Sequence, residues 1–157
     1  MLPSAEHIEL LHTIEKPDLL TIGIVHTQWN ARIVDMMHYD VLQTLAAQKI
    51  SDKQVVSVQV PGSIEIPFAA KVLAERKKHL DGIILLGCVI KGDTPHFEYV
   101  CQSVTQGSTQ LNLTYSIPFI FGVLTVNNYQ QAIERASVKG KEAAVSLLNM
   151  ISINKRY

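Results

Sequence analysis

Four short runs of β-branched and aliphatic residues, at 19–25, 55–60, 82–89 and 118–124, constrain the fold of this chain more than any other feature. They are rich in Val, Ile and Leu, so they read as strands buried on both faces, and such strands belong to parallel sheets covered by helices. The intervening segments supply the helices. Ile33, Met37, Val41 and Leu45 recur at helical spacing after the first run, Ile66, Ala69, Ala70 and Leu73 after the second, and Val100, Val104 and Leu111 after the third. After the fourth run, Asn127 or Asn128 caps a short helix through Ala136, and Gly140 marks a break. A last helix then covers about residues 141–151, with Ala144, Leu147, Leu148 and Ile151 on its apolar face. This alternation predicts an α/β fold with a four-stranded parallel sheet between helical layers.

A chain of 157 residues with 47% hydrophobic content suits one domain, 1–157, with a core of its own. Residues 1–17 show no period and read as an N-terminal arm, either loose or docked on a neighbouring subunit. The 14 basic and 14 acidic residues balance, and the basic clusters Arg76-Lys77-Lys78-His79 and Lys155-Arg156 read as solvated helix ends. Nucleic acid is therefore not an expected partner. No apolar run approaches the roughly 18 to 20 residues of a membrane span, and the acidic, proline-containing start does not resemble a secretory signal, so a cytoplasmic protein is expected. Cys88 and Cys101 have no zinc or redox spacing; both are expected reduced, with Cys101 in the core.

Parallel strands point one way, so the segments that follow them gather at one sheet edge, where open α/β sheets bind ligands. Unusual residues stand after every strand: His26-Thr27-Gln28-Trp29-Asn30, Pro61-Gly62-Ser63-Ile64-Glu65, Lys91 to His96, and Thr125 to Asn128. Trp29, the only tryptophan, can stack on a flat ring or fold back to plug the sheet end. In the second loop Gly62 allows close backbone approach and Ser63 offers a hydroxyl, while Glu65 binds a ligand or only complements the helix dipole.

The third loop holds the densest chemistry. Gly92 gives the turn latitude, Thr94 reads as an N-cap, and Pro95 takes the first helical position, which puts His96 inside the helix start. The backbone amides of Gly92-Asp93-Thr94 and the Thr94 hydroxyl suit a small phosphate ester; the glycines of a dinucleotide fingerprint and the lysine-serine of a P-loop are missing. His96 is the one histidine of six placed beside that anion site, where an imidazole can shuttle protons, although a surface or capping role remains open for it. No histidine or cysteine partner stands at metal-ligand spacing, so no metal is expected. Arg135 has the planar fork that suits phosphate, or it pairs with Glu134 or another acid.

Taken in order, these motifs resemble the lumazine synthase family. The resemblance spans nearly the whole domain and rests on Trp29-Asn30, on Val60-Pro61-Gly62-Ser63-Ile64-Glu65-Ile66-Pro67, and on the long run from Gly87-Cys88-Val89-Ile90-Lys91-Gly92-Asp93-Thr94-Pro95-His96-Phe97 to Val100. Phe121-Gly122-Val123-Leu124-Thr125 and Gln131-Ala132-Ile133-Glu134-Arg135-Ala136 complete it.

The resemblance implies a flavodoxin-like, three-layer α/β/α sandwich whose arm adds a strand to a neighbouring subunit. It implies a transferase that condenses 5-amino-6-ribitylaminouracil with 3,4-dihydroxy-2-butanone 4-phosphate in the penultimate step of riboflavin biosynthesis, without a cofactor. The pyrimidine would stack on Trp29 and lie against Phe121 and Cys88, Val89 and Ile90, and Ser63, Ile64 and Glu65 would hold the ribityl chain. The phosphate would sit between Asp93-Thr94 and an Arg135 from an adjacent subunit of a pentamer, with His96 as the proton shuttle. Riboflavin synthase is a further partner consistent with the family.

Two departures from the family pattern stand out. Trp29 occupies a position where phenylalanine is common, and Gln28 precedes it where many members have arginine. The segment Arg135-Ala136-Ser137-Val138-Lys139-Gly140-Lys141-Glu142 is shorter than the linker of members that build sixty-subunit shells, which favours a pentamer or decamer. The phosphate-side lysine of the longer linker would then be absent or replaced by Lys139 or Lys141. A non-catalytic flavin or lumazine carrier on the same scaffold is the alternative, although a carrier has no use for the phosphate pocket. A receiver-type phosphate sensor fits less well, because the acidic cluster expected after its first strand is missing.

Overall fold

A computed structural model describes residues 7–157 as one four-stranded, wholly parallel sheet with helices on both faces. The strands are β1 (Ile22–Thr27), β2 (Val55–Val60), β3 (Gly82–Ile90) and β4 (Phe119–Val126), in the spatial order β2-β1-β3-β4. The helices are α1 (Ala31–Ala47), α2 (Ile66–Arg76), α3 (His96–Thr114) and α4 (Tyr129–Arg156). The predicted runs sit within three residues of the observed strands, as expected when the signal is burial and not turn chemistry.

Alternate side chains along each strand feed two separate cores. Ile22, Ile24, Ile84, Leu86, Leu124 and Val126 face α1 and α4, where they meet Ile33, Met37, Val41, Leu147 and Leu148. Val25, Ile83, Leu85 and Val123 face α2 and α3, where they meet Ile66, Ala70, Val104 and Leu111. Among the described residues no helix is long and apolar enough to cross a membrane.

Three expectations are corrected. The two helices expected after β4 are one, Tyr129–Arg156, capped by the Asn128 side chain, which accepts from Gln131 N–H at 2.9 Å. Gly140 does not break it: the residue is buried where α4 crosses α1, and a Cβ there would run into the Met37 carbonyl and lie 2.8 Å from Asp40 Cβ. Its missing side chain is a packing requirement and not a stop signal. Second, residues 1–6 of the arm expected over 1–17 lie outside the described residues, and the described part is not loose but seated on its own chain. Asn149 on α4 donates to the Glu9 carbonyl at 3.0 Å and accepts from Leu11 N–H at 2.9 Å, while Leu10 and Ile14 pack on the α1/α4 core. Third, Cys101 is half-buried on α3; only Cys88 is in the core, and both are free thiols.

His26 on β1 and His38 on α1 stack with ring centroids 4.7 Å apart and planes 19° from parallel. His38 Nε2 pairs with Ser57 Oγ at 3.0 Å, and His26 Nδ1 is buried without a partner among the described residues. Burial pulls the His26 pKa below the ordinary imidazole value, the His38 charge adds to this, and Asp35 opposes it. Burial likewise lowers His38, against Asp35 and Asp52.

Two measurements test this packing. Gly140→Ala should destabilise the chain by about 1–2 kcal/mol despite alanine's higher helix propensity, because overpacking outweighs it; an increased unfolding midpoint would return Gly140 to an ordinary helix position. The stacked histidines bind fewer protons folded than unfolded, so their stabilisation is complete above about pH 6.5 and is lost as pH falls through their lowered values. The thermal midpoint should therefore hold above about pH 6.5 and drop as pH falls below it, and His38→Gln should flatten that drop.

Candidate functional site

The strand order makes the cleft. From β1 the chain moves outward to β2, then returns to place β3 on the other side of β1, so loops diverge at the carboxyl ends of β1 and β3. The two strands also end at different heights. Pairing of β1 with β3 stops at His26 opposite Leu86, whereas β3 stays paired with β4 as far as Ile90 opposite Val126. The β1-facing edge of β3 beyond Leu86 is thereby open to a ligand.

A cleft of about 490 Å³ occupies this place, within the usual size range of small-molecule sites. Its walls are Trp29 and Asn30 after β1, Pro61 to Glu65 after β2, Cys88, Val89 and Ile90 at the end of β3, and Gly92, Thr94, His96, Phe97 and Val100 at the start of α3. Three of the four predicted loops thus converge. A smaller hollow of about 190 Å³ lies at the opposite end of the sheet, between residues 12–15 of the arm and the end of α4, and holds none of the predicted residues.

Trp29 is 74% exposed, so the indole does not fold back to plug the sheet end. Its loop is held by polar bonds. Gln28 N–H donates to the Val60 carbonyl at 2.8 Å, Trp29 N–H to the Pro61 carbonyl at 3.0 Å, and the buried Thr27 hydroxyl to the Trp29 carbonyl at 3.0 Å. Asn30 adopts left-handed backbone, φ 56° and ψ 42°, and donates from Nδ2 to the Cys88 carbonyl at 2.8 Å.

Ser63, Ile64 and Glu65 form a single 3₁₀ turn that leads into α2. Ser63 is buried against β3, where a Cβ on Gly87 would lie 2.7 Å from its hydroxyl oxygen, so glycine is what lets this turn seat on the sheet. Glu65 Oε2 accepts from Gly62 N–H at 3.0 Å. One carboxylate oxygen thus shapes the loop, while the residue also lines the cleft.

Helix α3 begins at His96, one residue later than the Thr94 cap predicted: Pro95 holds the cap position, and Thr94 Oγ1 accepts from His96 N–H only at 3.5 Å. Pro95 is fixed near φ −65°, which suits a helix entry equally well one position earlier. Thr94 and His96 are exposed on the cleft, with Asp93 exposed in the turn beside them. Burial pushes the Cys88 thiol up to about 11, so at neutral pH it is a protonated, apolar wall and not a nucleophile.

Phe121 and Arg135 stand apart from these residues. Phe121 is half-buried on the edge strand β4, against the α2/α3 core, and Arg135 is exposed on α4; neither lines the cleft of its own chain. The sequence reading assigned no role in the site to Asn30, Phe97 or Val100, the last of which it placed only on the apolar face of a helix; all three line the cleft. An asparagine directly after an exposed aromatic and before a helix was the available signal for Asn30, since asparagine tolerates left-handed backbone. Among the described residues, no group of three or more His, Cys, Asp or Glu is arranged to hold a metal ion.

Comparison with known proteins identifies the family. The sequence profile of the family described as 6,7-dimethyl-8-ribityllumazine synthase matches residues 19–155. A 6,7-dimethyl-8-ribityllumazine synthase of Parabacteroides distasonis is 48% identical over 139 residues, 86% of each chain. That of Porphyromonas gingivalis is 43% identical over 140 residues, 87% of this chain and 86% of the relative. A third, of Bacteroides fragilis, is 42% identical over 144 residues, 87% of this chain and 100% of the relative. With a profile that covers the sheet, all four helices and every wall of the cleft, the chain belongs to the 6,7-dimethyl-8-ribityllumazine synthase family.

Proposed function

We propose that the cleft condenses 5-amino-6-ribitylaminouracil with 3,4-dihydroxy-2-butanone 4-phosphate to 6,7-dimethyl-8-ribityllumazine, the penultimate step of riboflavin biosynthesis, in the cytoplasm. The observation that carries the reading is the meeting, in one cleft, of an exposed indole, a hydroxyl- and carboxylate-bearing turn, and a threonine–histidine helix start. The pyrimidine stacks on Trp29 along the Cys88, Val89 and Ile90 edge. Ser63, Ile64 and Glu65 take the ribityl hydroxyls, and the phosphate docks at Asp93 and Thr94 beside the positive end of α3.

The chemistry needs little more than orientation. The 5-amino group adds to the ketone and loses one water to give an imine. Loss of a proton from carbon drives out inorganic phosphate, and the ribityl-bearing nitrogen then closes the ring with loss of a second water. His96 takes and returns the protons of these steps, and holding two substrates in reacting geometry supplies the larger share of the rate. The carrier alternative gains nothing from the relatives, all of which are described as synthases.

The site is completed by a second copy of the chain. Phe121 and Arg135 lie off their own cleft, so a neighbour supplies them, Phe121 against the pyrimidine and Arg135 against the phosphate. Large exposed side chains on α2 and α3 support such contacts: Phe68 is 71% exposed, Tyr99 69% and Leu113 82%. The unbroken α4 leaves no long linker after Arg135, which supports a pentamer or decamer over a shell. Lys139 and Lys141 are the lysines available near that helix for phosphate, and riboflavin synthase is the partner that would consume the product.

Incubation with both substrates should produce lumazine absorbance and fluorescence. His96→Ala should lower kcat by about 10²–10⁴-fold while leaving measurable turnover, and Arg135→Ala should chiefly raise KM for the butanone phosphate. Unchanged kinetics in both variants would remove these assignments. Light scattering should give a mass of five or ten chains, and a particle of about sixty chains would overturn the assembly inferred from α4.

A further inference from the structure

Asn30 makes a bond for which the β1–α1 loop has no substitute. Beyond His26 opposite Leu86, β1 no longer supplies donors to β3, so the β3 carbonyls on that side lose their ladder partners. Asn30 Nδ2 takes the Cys88 carbonyl at 2.8 Å and extends the β1–β3 seam by one side-chain bond. The other bonds of the loop run to Val60 and Pro61 on the β2 side, or within the loop from Thr27. Among the described residues, Asn30 therefore provides the one side-chain tie from the loop to the β3 wall. The indole itself is 74% exposed and is not held by packing.

We propose that Asn30 is a positioning residue for the pyrimidine substrate: it fixes the separation between the Trp29 platform and the Cys88, Val89 and Ile90 edge, between which the ring lies. The residue type follows from two demands at one position. Left-handed backbone is strained for most side chains but tolerated by asparagine, and the donor must be short enough to reach a carbonyl across the gap. Glycine meets the first demand only, and aspartate presents an acceptor to an acceptor. The inference rests on the reading of Trp29 as the stacking surface.

Asn30→Gly, Asn30→Asp, Trp29→Ala and the Trp29→Ala/Asn30→Gly double variant test it, with thermal unfolding of each to confirm folding. Trp29 is the only tryptophan, so its emission anisotropy reports this loop directly. Both Asn30 variants should lower that anisotropy in the unliganded protein. They should raise KM for 5-amino-6-ribitylaminouracil about three- to tenfold, the reach of one hydrogen bond, with kcat and KM for the butanone phosphate within about twofold. Two variants with opposite side-chain chemistry leave the test intact if one fails to fold.

On the Trp29→Ala background, Asn30→Gly should add no further rise in KM, because the residue acts through the indole. An equal rise on both backgrounds, or unchanged anisotropy, overturns the role of Asn30 and leaves the platform standing. An unchanged KM in Trp29→Ala overturns the platform itself, and the positioning role with it.

Discussion

The unequal reach of β1 and β3 is the constraint on which the rest of the site depends. Because β3 stays paired with β4 four residues past its last partner on β1, it offers a stretch of strand with one satisfied edge and one open edge. A rigid, half-paired strand is a good template for a flat, polar ligand: the sheet fixes its position, and the missing neighbour leaves room. The two apolar cores serve this arrangement by clamping the sheet from both faces, with Leu86 held from the α1/α4 side and Leu85 from the α2/α3 side. A shift of one residue in β3 would exchange those two side chains between cores, so the register that buries them also sets the height of the cleft wall.

Close approach of backbone decides the remaining geometry, and glycine permits it. Gly87 lets the Ser63 turn lie on β3, which brings the second wall of the cleft within reach of the third. Gly140 lets α4 press on α1 without interrupting either helix. The two look alike in sequence, yet one shapes the site and the other shapes the scaffold.

That ambiguity explains what was legible beforehand. The strands, α1, α2 and α3 could be read because burial writes a strong pattern: Ile33, Met37, Val41 and Leu45 are all buried at the spacing that revealed them. The gathering of loops followed from parallel strands alone. Gly140 misled because a glycine near a helical segment signals a stop only when its own backbone requires it, and here the neighbour Met37, distant in sequence, requires it. Trp29 could not be decided from spacing, since exposure depends on the loop bonds from Thr27, Gln28 and Asn30. The Asn30 bond itself spans 58 residues and has no local signature.

The placement of Phe121 and Arg135 carries a consequence for assembly on the proposed reading. A single chain provides a surface for the pyrimidine and a helix start for the phosphate, but not the arginine that would neutralise the phosphate, because α4 packs on the opposite face of the sheet from α3. No rearrangement within the chain brings Arg135 round without breaking the α1/α4 core, in which Ala136, Leu147 and Leu148 are buried on the same helix. A neighbour meets no such obstacle, since Arg135 is already exposed and Phe68, Tyr99 and Leu113 offer apolar surface for contact. On that reading the site and an oligomer would share one cause: this sheet keeps α4 and Arg135 on the face away from α3, and an adjacent subunit would supply the missing side.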